Sequence, residues 1–178
     1  MMSPISHILR NHPYEYVYFN KLVGGVEKAY GNYELDYYYH STREAAEWVK
    51  ANAVPNSDGS KIKVASWHQA SVAYFFRKDT ANFSVPFVRW YERGNVDWDY
   101  AIFTVTGITP EQLRSENFPP KNMVHSINVD GKPICIILKR ETKDDFIGYQ
   151  QMKAQEYDSA IVSLTRALKV DPLNESIY

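Results

Sequence analysis

Five histidines, one cysteine and two closely spaced pairs of acids are the side chains with which this chain could do chemistry. His7, His12, His40, His68 and His125 show neither an HxxxH spacing nor a histidine–cysteine spacing, so the sequence holds no zinc motif. Asp36, His40 and His68 form a trio that folding could gather, as it could many other trios. Asp97 and Asp99 flank Trp98 as alternate residues at a strand entrance, and Asp144-Asp145 open a helix, where acids complement the dipole. Neither pair reads as two carboxylates coupled by burial. There is no G-x-S-x-G and no P-loop. Gly24-Gly25 lacks the strand–loop–helix frame of a phosphate cradle and reads as a turn. Cys135 sits in the apolar run Pro133–Leu138, where burial raises the thiol pKa and leaves it inert. His125 falls on an apolar strand face and reads as a hydrogen-bonded core histidine.

One corner offers more. In open α/β sheets, ligands sit outside the carboxyl ends of the strands. The first expected strand ends at Ser66-Trp67-His68-Gln69, which then opens a helix. Backbone N–H groups there suit an anion, and Trp67 could stack on a sugar ring. The third strand ends at Thr106-Gly107. Asp36, Tyr37, Ser66, Trp67, His68 and Thr106 are therefore the candidate ligand-binding residues. The competing reading makes Ser66 a plain helix cap and packs Trp67 against Tyr37 or Tyr38. No catalytic residue, metal or cofactor is expected.

The elements that would position this corner follow from periodicity. Ser41-Thr42-Arg43-Glu44 has the capping-box pattern, opening a helix to about Asn52 with Ala45, Trp48, Val49 and Ala53 on one face. Lys61–Ala65 alternates as a strand. A helix runs from Ser66 to about Arg77, with Val72, Ala73 and Phe76 inward. Asn82–Val88 is a second strand, shortened or confined to an edge by Pro86. Tyr100–Val105 is a buried strand. Thr109-Pro110-Glu111-Gln112 opens a short helix with proline at its first position. Met123, His125, Ile127 and Val129 share one face of a strand that returns through the Asp130-Gly131 turn. This order predicts an α/β fold: a mixed sheet of about five strands with helices on its faces and an antiparallel hairpin at one edge. Residues 1–142 form that domain, and 143–178 form a helical hairpin.

The 178 residues are 44% hydrophobic and carry a net charge of −1, with both signs interspersed. That size suits one ordinary core, and nothing in the charge steers toward nucleic acid. No apolar run reaches the roughly 18 residues needed to span a bilayer, and no secretory leader pattern opens the chain. On its own that composition points to the cytoplasm.

The stretch from His12 to Trp48 changes that expectation. It holds eight of the fourteen tyrosines, in bursts at Tyr14-Tyr16-Tyr18-Phe19 and Tyr37-Tyr38-Tyr39, and must wrap over a folded body. Tyr18-Phe19-Asn20-x-Leu22-x-Gly24-Gly25, then Asp36-Tyr37-Tyr38, then a helix carrying Trp48-Val49, resembles a known segment. It follows the last transmembrane helix of bacterial membrane glycosyltransferases of the dolichyl-phosphate-mannose-protein mannosyltransferase type (glycosyltransferase family 39, GT-C fold). Tyr39 stands where that pattern expects glycine. The resemblance covers residues 12–50 well and 60–140 loosely. It implies a soluble lobe on the periplasmic face of the inner membrane, part of a membrane-embedded parent protein. The catalytic acid of such enzymes lies in an early loop outside this stretch.

Residues 146–178 resemble a tetratricopeptide repeat: Gly148, Tyr157, Ala160, Leu164, Ala167 and Pro172 fall at its spacing. Asp144 and Gln151 stand where aromatics are commoner. A stack needs about three repeats to bury its face, so the parent is expected to continue past Tyr178. The resulting expectation is a non-catalytic lobe that presents an acceptor or substrate, with other proteins as partners through the repeat and a glycan or lipid-linked sugar as a possible ligand. A stand-alone interaction module and a sugar- or nucleotide-binding domain using Ser66–Gln69 are the alternatives.

Overall fold

The computed structural model describes residues 4–172 and 174–177. Five strands form one sheet: β1 (Ile62–Ser66), β2 (Phe83–Ser84), β3 (Tyr100–Thr104), β4 (Met123–Val129) and β5 (Lys132–Lys139). Their spatial order is β2-β1-β3-β5-β4. β1 runs parallel to β2 and β3, while β5 is antiparallel to β3 and β4. The mixed α/β sheet expected from the sequence is therefore present. Every residue of β3, and Ile134 to Leu138 of β5, is buried. Continuous apolar runs of this kind belong to strands covered on both faces. The expected strand 82–88 shrinks to two residues plus a bridge from Ser66 to Phe87, because Pro86 has no N–H to extend the ladder.

Seven helices flank the sheet among the described residues. Helix α3 (Ser41–Asn52) lies across β3, β4 and β5 with Ala45, Ala46 and Val49 wholly buried. Helix α4 (Gln69–Phe76) packs beside it through Val72 and Phe76. Trp90, in a 3-10 turn (Trp90–Asn95), meets Phe103 edge-on at 5.1 Å. Helix α5 (Pro110–Arg114) carries the full capping box between Thr109 and Gln112.

Two expected caps are overturned. Ser41 does not cap α3: its hydroxyl donates to Asp36, and Glu44 accepts from Tyr14 at 2.6 Å instead of reaching back. A buried carboxylate five residues upstream outcompetes the local motif, since hydrogen bonds to charged groups are the stronger ones. Ser66 does not open a helix: it ends β1, and α4 starts at Gln69.

The aromatic lead-in is more structured than its weak periodicity suggests. It holds α1 (Pro4–Asn11), a 3-10 turn (Lys21–Val23) and α2 (Gly25–Ala29). Tyr14, Val17, Val26, Ala29 and Leu35 enter the core. Gly24 and Gly25 take φ of +86° and +71°. At Gly24 a Cβ would fall 2.2 Å from Lys28 Cδ, so glycine there also makes room for the lysine stem.

Helices α6 (Asp144–Lys153) and α7 (Tyr157–Val170) pack on each other. A Cβ at Gly148 would meet Leu164 Cγ at 2.7 Å, and Ala160, Ser163 and Ala167 are buried. This pair is bolted to the rest of the chain by two arginines. Arg140 donates to Asp145 at 2.8 Å and to the carbonyls of Arg93 and Val96, both at 2.8 Å, with its guanidinium 4.2 Å from the Trp98 ring. Arg93 makes a bidentate pair with Glu175 at 2.9 and 2.7 Å. The Arg140 and Asp145 side chains are only 4% and 10% exposed. Removing one partner strands a buried charge, at a cost of about 3–5 kcal/mol. Asp145→Ala should therefore lower the urea midpoint with the denaturant slope unchanged. A midpoint within error of the parent chain would mean the tie contributes nothing.

Candidate functional site

The carboxyl ends of β1 and β3 lie side by side, and the chain leaves them in opposite directions across the sheet. From β1 it passes through α4 to β2 on one flank, then returns to β3 on the other. This is a topological switch point, where open α/β sheets leave a crevice.

At this point the residues after each strand converge. His68 Nε2 lies 3.0 Å from Thr104 Oγ1, which in turn lies 2.7 Å from Thr106 Oγ1. The Tyr39 ring stacks on the His68 imidazole with centroids 3.6 Å apart. Trp67 is 39% exposed and lies against Gly107, where an added Cβ would sit 2.8 Å from Trp67 Cε3. That contact, rather than Tyr37 or Tyr38, is what holds its ring. Ser66 is buried, with its hydroxyl accepting from His68 N at 3.1 Å. Gln69 ties the start of α4 to Val85 O at 2.7 Å. A cleft of about 230 Å³ continues from Thr106 along Gly31–Leu35.

Behind this rim lies Asp36, which is fully buried. It accepts from the Tyr16 hydroxyl, the Ser41 hydroxyl and His40 N, the last at 3.1 Å. Three internal donors hold it and it has no exposed surface, so in place of the expected ligand contact Asp36 is a structural knot behind the rim. Burial and this carboxylate both push the Tyr16 hydroxyl far above its ordinary pKa. Ser66 is likewise corrected from ligand contact to internal acceptor. Tyr37 and Tyr38 are 62% and 61% exposed and meet edge-on at 5.2 Å. Burial lowers the His68 pKa, against the opposing pull of Asp36.

The other candidates lie elsewhere. Asp97 and Asp99 sit at the opposite end of the sheet, both paired with Lys143 at 2.7 and 2.9 Å, and Asp97 also with Lys63. Burial raises both acids, but their lysine and hydrogen-bond partners outweigh it and hold them below the usual range. His125 stacks on Trp48 with centroids 4.9 Å apart. Cys135 is wholly buried, and burial pushes its thiol up. Among the described residues no three His, Cys, Asp or Glu side chains gather as a metal site, and no helix is long and apolar enough to cross a membrane.

Tyr39 and Thr104 belong to the site but escape a linear reading. Thr104 sits inside a buried strand, and nothing local marks it as a hydroxyl facing a histidine 36 residues earlier. Tyr39 takes a φ of +56°, a conformation rare outside glycine, asparagine and aspartate, and a run of three tyrosines gives no sign of it.

No family model matches the chain, and no curated protein or solved structure matches it.

Asp36→Asn removes the negative charge that favours the imidazolium form of His68. The His68 pKa, followed by NMR, should start below the free value of about 6.5 and drop further in the variant. Stability should fall by about 3 kcal/mol, because the buried donors lose their charged acceptor. An unchanged titration curve would separate the knot from the rim.

Proposed function

We propose that this chain is a non-catalytic recognition lobe that holds a hydroxyl-rich ligand of the glycan class at the carboxyl ends of β1 and β3. The observation that carries it is the convergence of the exposed Trp67 with the half-buried His68, Thr106 and Tyr39 at one rim. An exposed indole and tyrosines offer flat apolar faces with polar edges, the surface a sugar ring stacks on. Hydroxyls and a neutral imidazole offer short-range donors and acceptors. The ionisable groups are already committed: Asp36 to three donors, His68 Nε2 to Thr104. Such a rim recognises and orients rather than moving protons.

The proposed setting is a periplasmic lobe of a membrane glycosyltransferase, presenting acceptor or substrate. It is supported by the run from Tyr18 to Gly25 and by Asp36-Tyr37-Tyr38. It is also supported by Tyr39, whose left-handed backbone stands where the resemblance expects glycine. Helices α6 and α7 are proposed as a tetratricopeptide-type docking element. Gly148 allows close approach at Leu164, and α7 leaves Tyr157, Ile161 and Val162 uncovered at 59%, 64% and 55% exposure. Pro172 follows the end of α7.

Titration calorimetry with neutral mannose and glucose oligosaccharides tests the rim. Trp67→Ala should weaken binding about tenfold, roughly 1.4 kcal/mol. Gly107→Ala, which forces the indole off its seat, should weaken it in the same direction with the ring still present. Absence of heat with every sugar would leave protein docking through α6 and α7 as the function. An encoding gene without upstream membrane helices would remove the proposed setting.

A further inference from the structure

A groove of about 1090 Å³ lies beyond the rim. It is walled by α2 and the chain after it, by α5 and the Phe118-Pro119 stretch, and by the turn between β4 and β5. Single small-ligand clefts run from about 300 to 1,000 Å³, so the groove suits an extended occupant. It carries three cations, Lys28, Arg114 and Lys132, against one acid, Glu27.

The internal partners of these cations are weak. Lys132 Nζ lies 4.0 Å from Glu27, which is itself 80% exposed, and 5.8 Å from the Tyr30 ring centroid. Arg114 donates to the neutral amide of Asn32 at 2.8 Å and lies 3.9 Å from the exposed Glu111. Lys28 makes no ion pair among the described residues, and its stem is laid down by the absence of a side chain at Gly24. The Tyr30 hydroxyl on the same wall is buried without a hydrogen-bond partner among the described residues. Tyr33 and Phe118 add aromatic surface. The groove thus carries an excess of positive charge, answered only by long contacts to the exposed Glu27 and Glu111, on a chain whose overall charge is −1.

The groove and the rim adjoin through the 230 Å³ cleft, which shares Asn32, Tyr33 and Leu113 with the groove and Thr106 with the rim, and which also carries Glu34. We infer that the ligand is an acidic oligosaccharide, one end stacked at Trp67 and its carboxylate or phosphate groups lying along Lys28, Arg114 and Lys132. This assignment of ligand class rests on the glycan-binding reading of the rim. Charge complementarity chooses it: a neutral glycan would offer no counter-charge to these weakly paired cations, whereas oxyanions on its rings would.

The experiment uses the whole chain and three probes: a galacturonic acid tetramer, its fully methyl-esterified neutral counterpart, and a phosphorylated mannose oligosaccharide. The acid or the phosphate form should bind at least about tenfold more tightly than the ester, a difference of roughly 1.4 kcal/mol. That advantage should vanish in the double variant Lys28→Gln, Lys132→Gln, and should shrink between 50 and 500 mM NaCl as screening shortens the reach of each charge. Both variant positions are partly or fully exposed, and circular dichroism verifies that the variant is folded. Equal binding of charged and neutral probes, an unaffected double variant, or no binding of either charged probe overturns the proposal. Trp67→Ala separates the two claims. If it weakens acid and ester alike while the charge advantage is missing, the rim stands and the groove falls. If it changes neither probe while the double variant abolishes the charge advantage, the groove stands and the rim falls.

Discussion

The fold turns on one buried carboxylate. Asp36 comes from the lead-in, yet its donors come from three places: Tyr16 earlier in the same segment, the backbone at His40, and Ser41 at the start of α3. A charge without solvent is tolerated only when its lone pairs are filled. The segment before α3 can therefore adopt few conformations once Asp36 is inside. The knot fixes where Tyr39 lies, and Tyr39 fixes the imidazole of His68 by stacking. A side chain with no surface of its own thus determines the shape of the exposed rim.

This arrangement separates holding from touching. The strongest interactions in the lead-in face inward, while the rings of Tyr18, Tyr33, Tyr37 and Tyr38 reach solvent beside charged and aliphatic side chains such as Glu27 and Leu22. A second division runs along the length of the sheet. At one end Asp97 and Asp99 neutralise Lys63 and Lys143. At the other, Lys28, Arg114 and Lys132 have only the exposed Glu27 and Glu111 near them. The small net charge of the chain conceals this asymmetry.

Much of the scaffold was legible in the residues. Lys61–Ala65 announced a strand by alternation, Tyr100–Val105 by an unbroken apolar run, and Lys132–Lys139 by its place after the Asp130-Gly131 turn. Thr109-Pro110 marked α5 because proline has no N–H to lose there. The boundary near Ser66–Gln69 was legible because polar residues separate an apolar strand from the helix that follows. What stayed hidden depended on partners distant in sequence. Ser41 and Glu44 looked like a cap, and only the arrival of Asp36 and Tyr14 diverted them. Asp36 looked like a ligand contact because a lone acid among tyrosines gives no hint of how many donors will surround it. The charged groove could not be read at all, since Lys28, Arg114 and Lys132 belong to separate elements and share no spacing.

The arginine anchors of α6 and α7 carry one more consequence. With Asp145 gripped by Arg140 and Glu175 by Arg93, the helical pair is not a tether swinging from the sheet but a rigid arm set at a constant angle. The uncovered face of α7 and the Trp67 ring therefore belong to one body and keep a set separation.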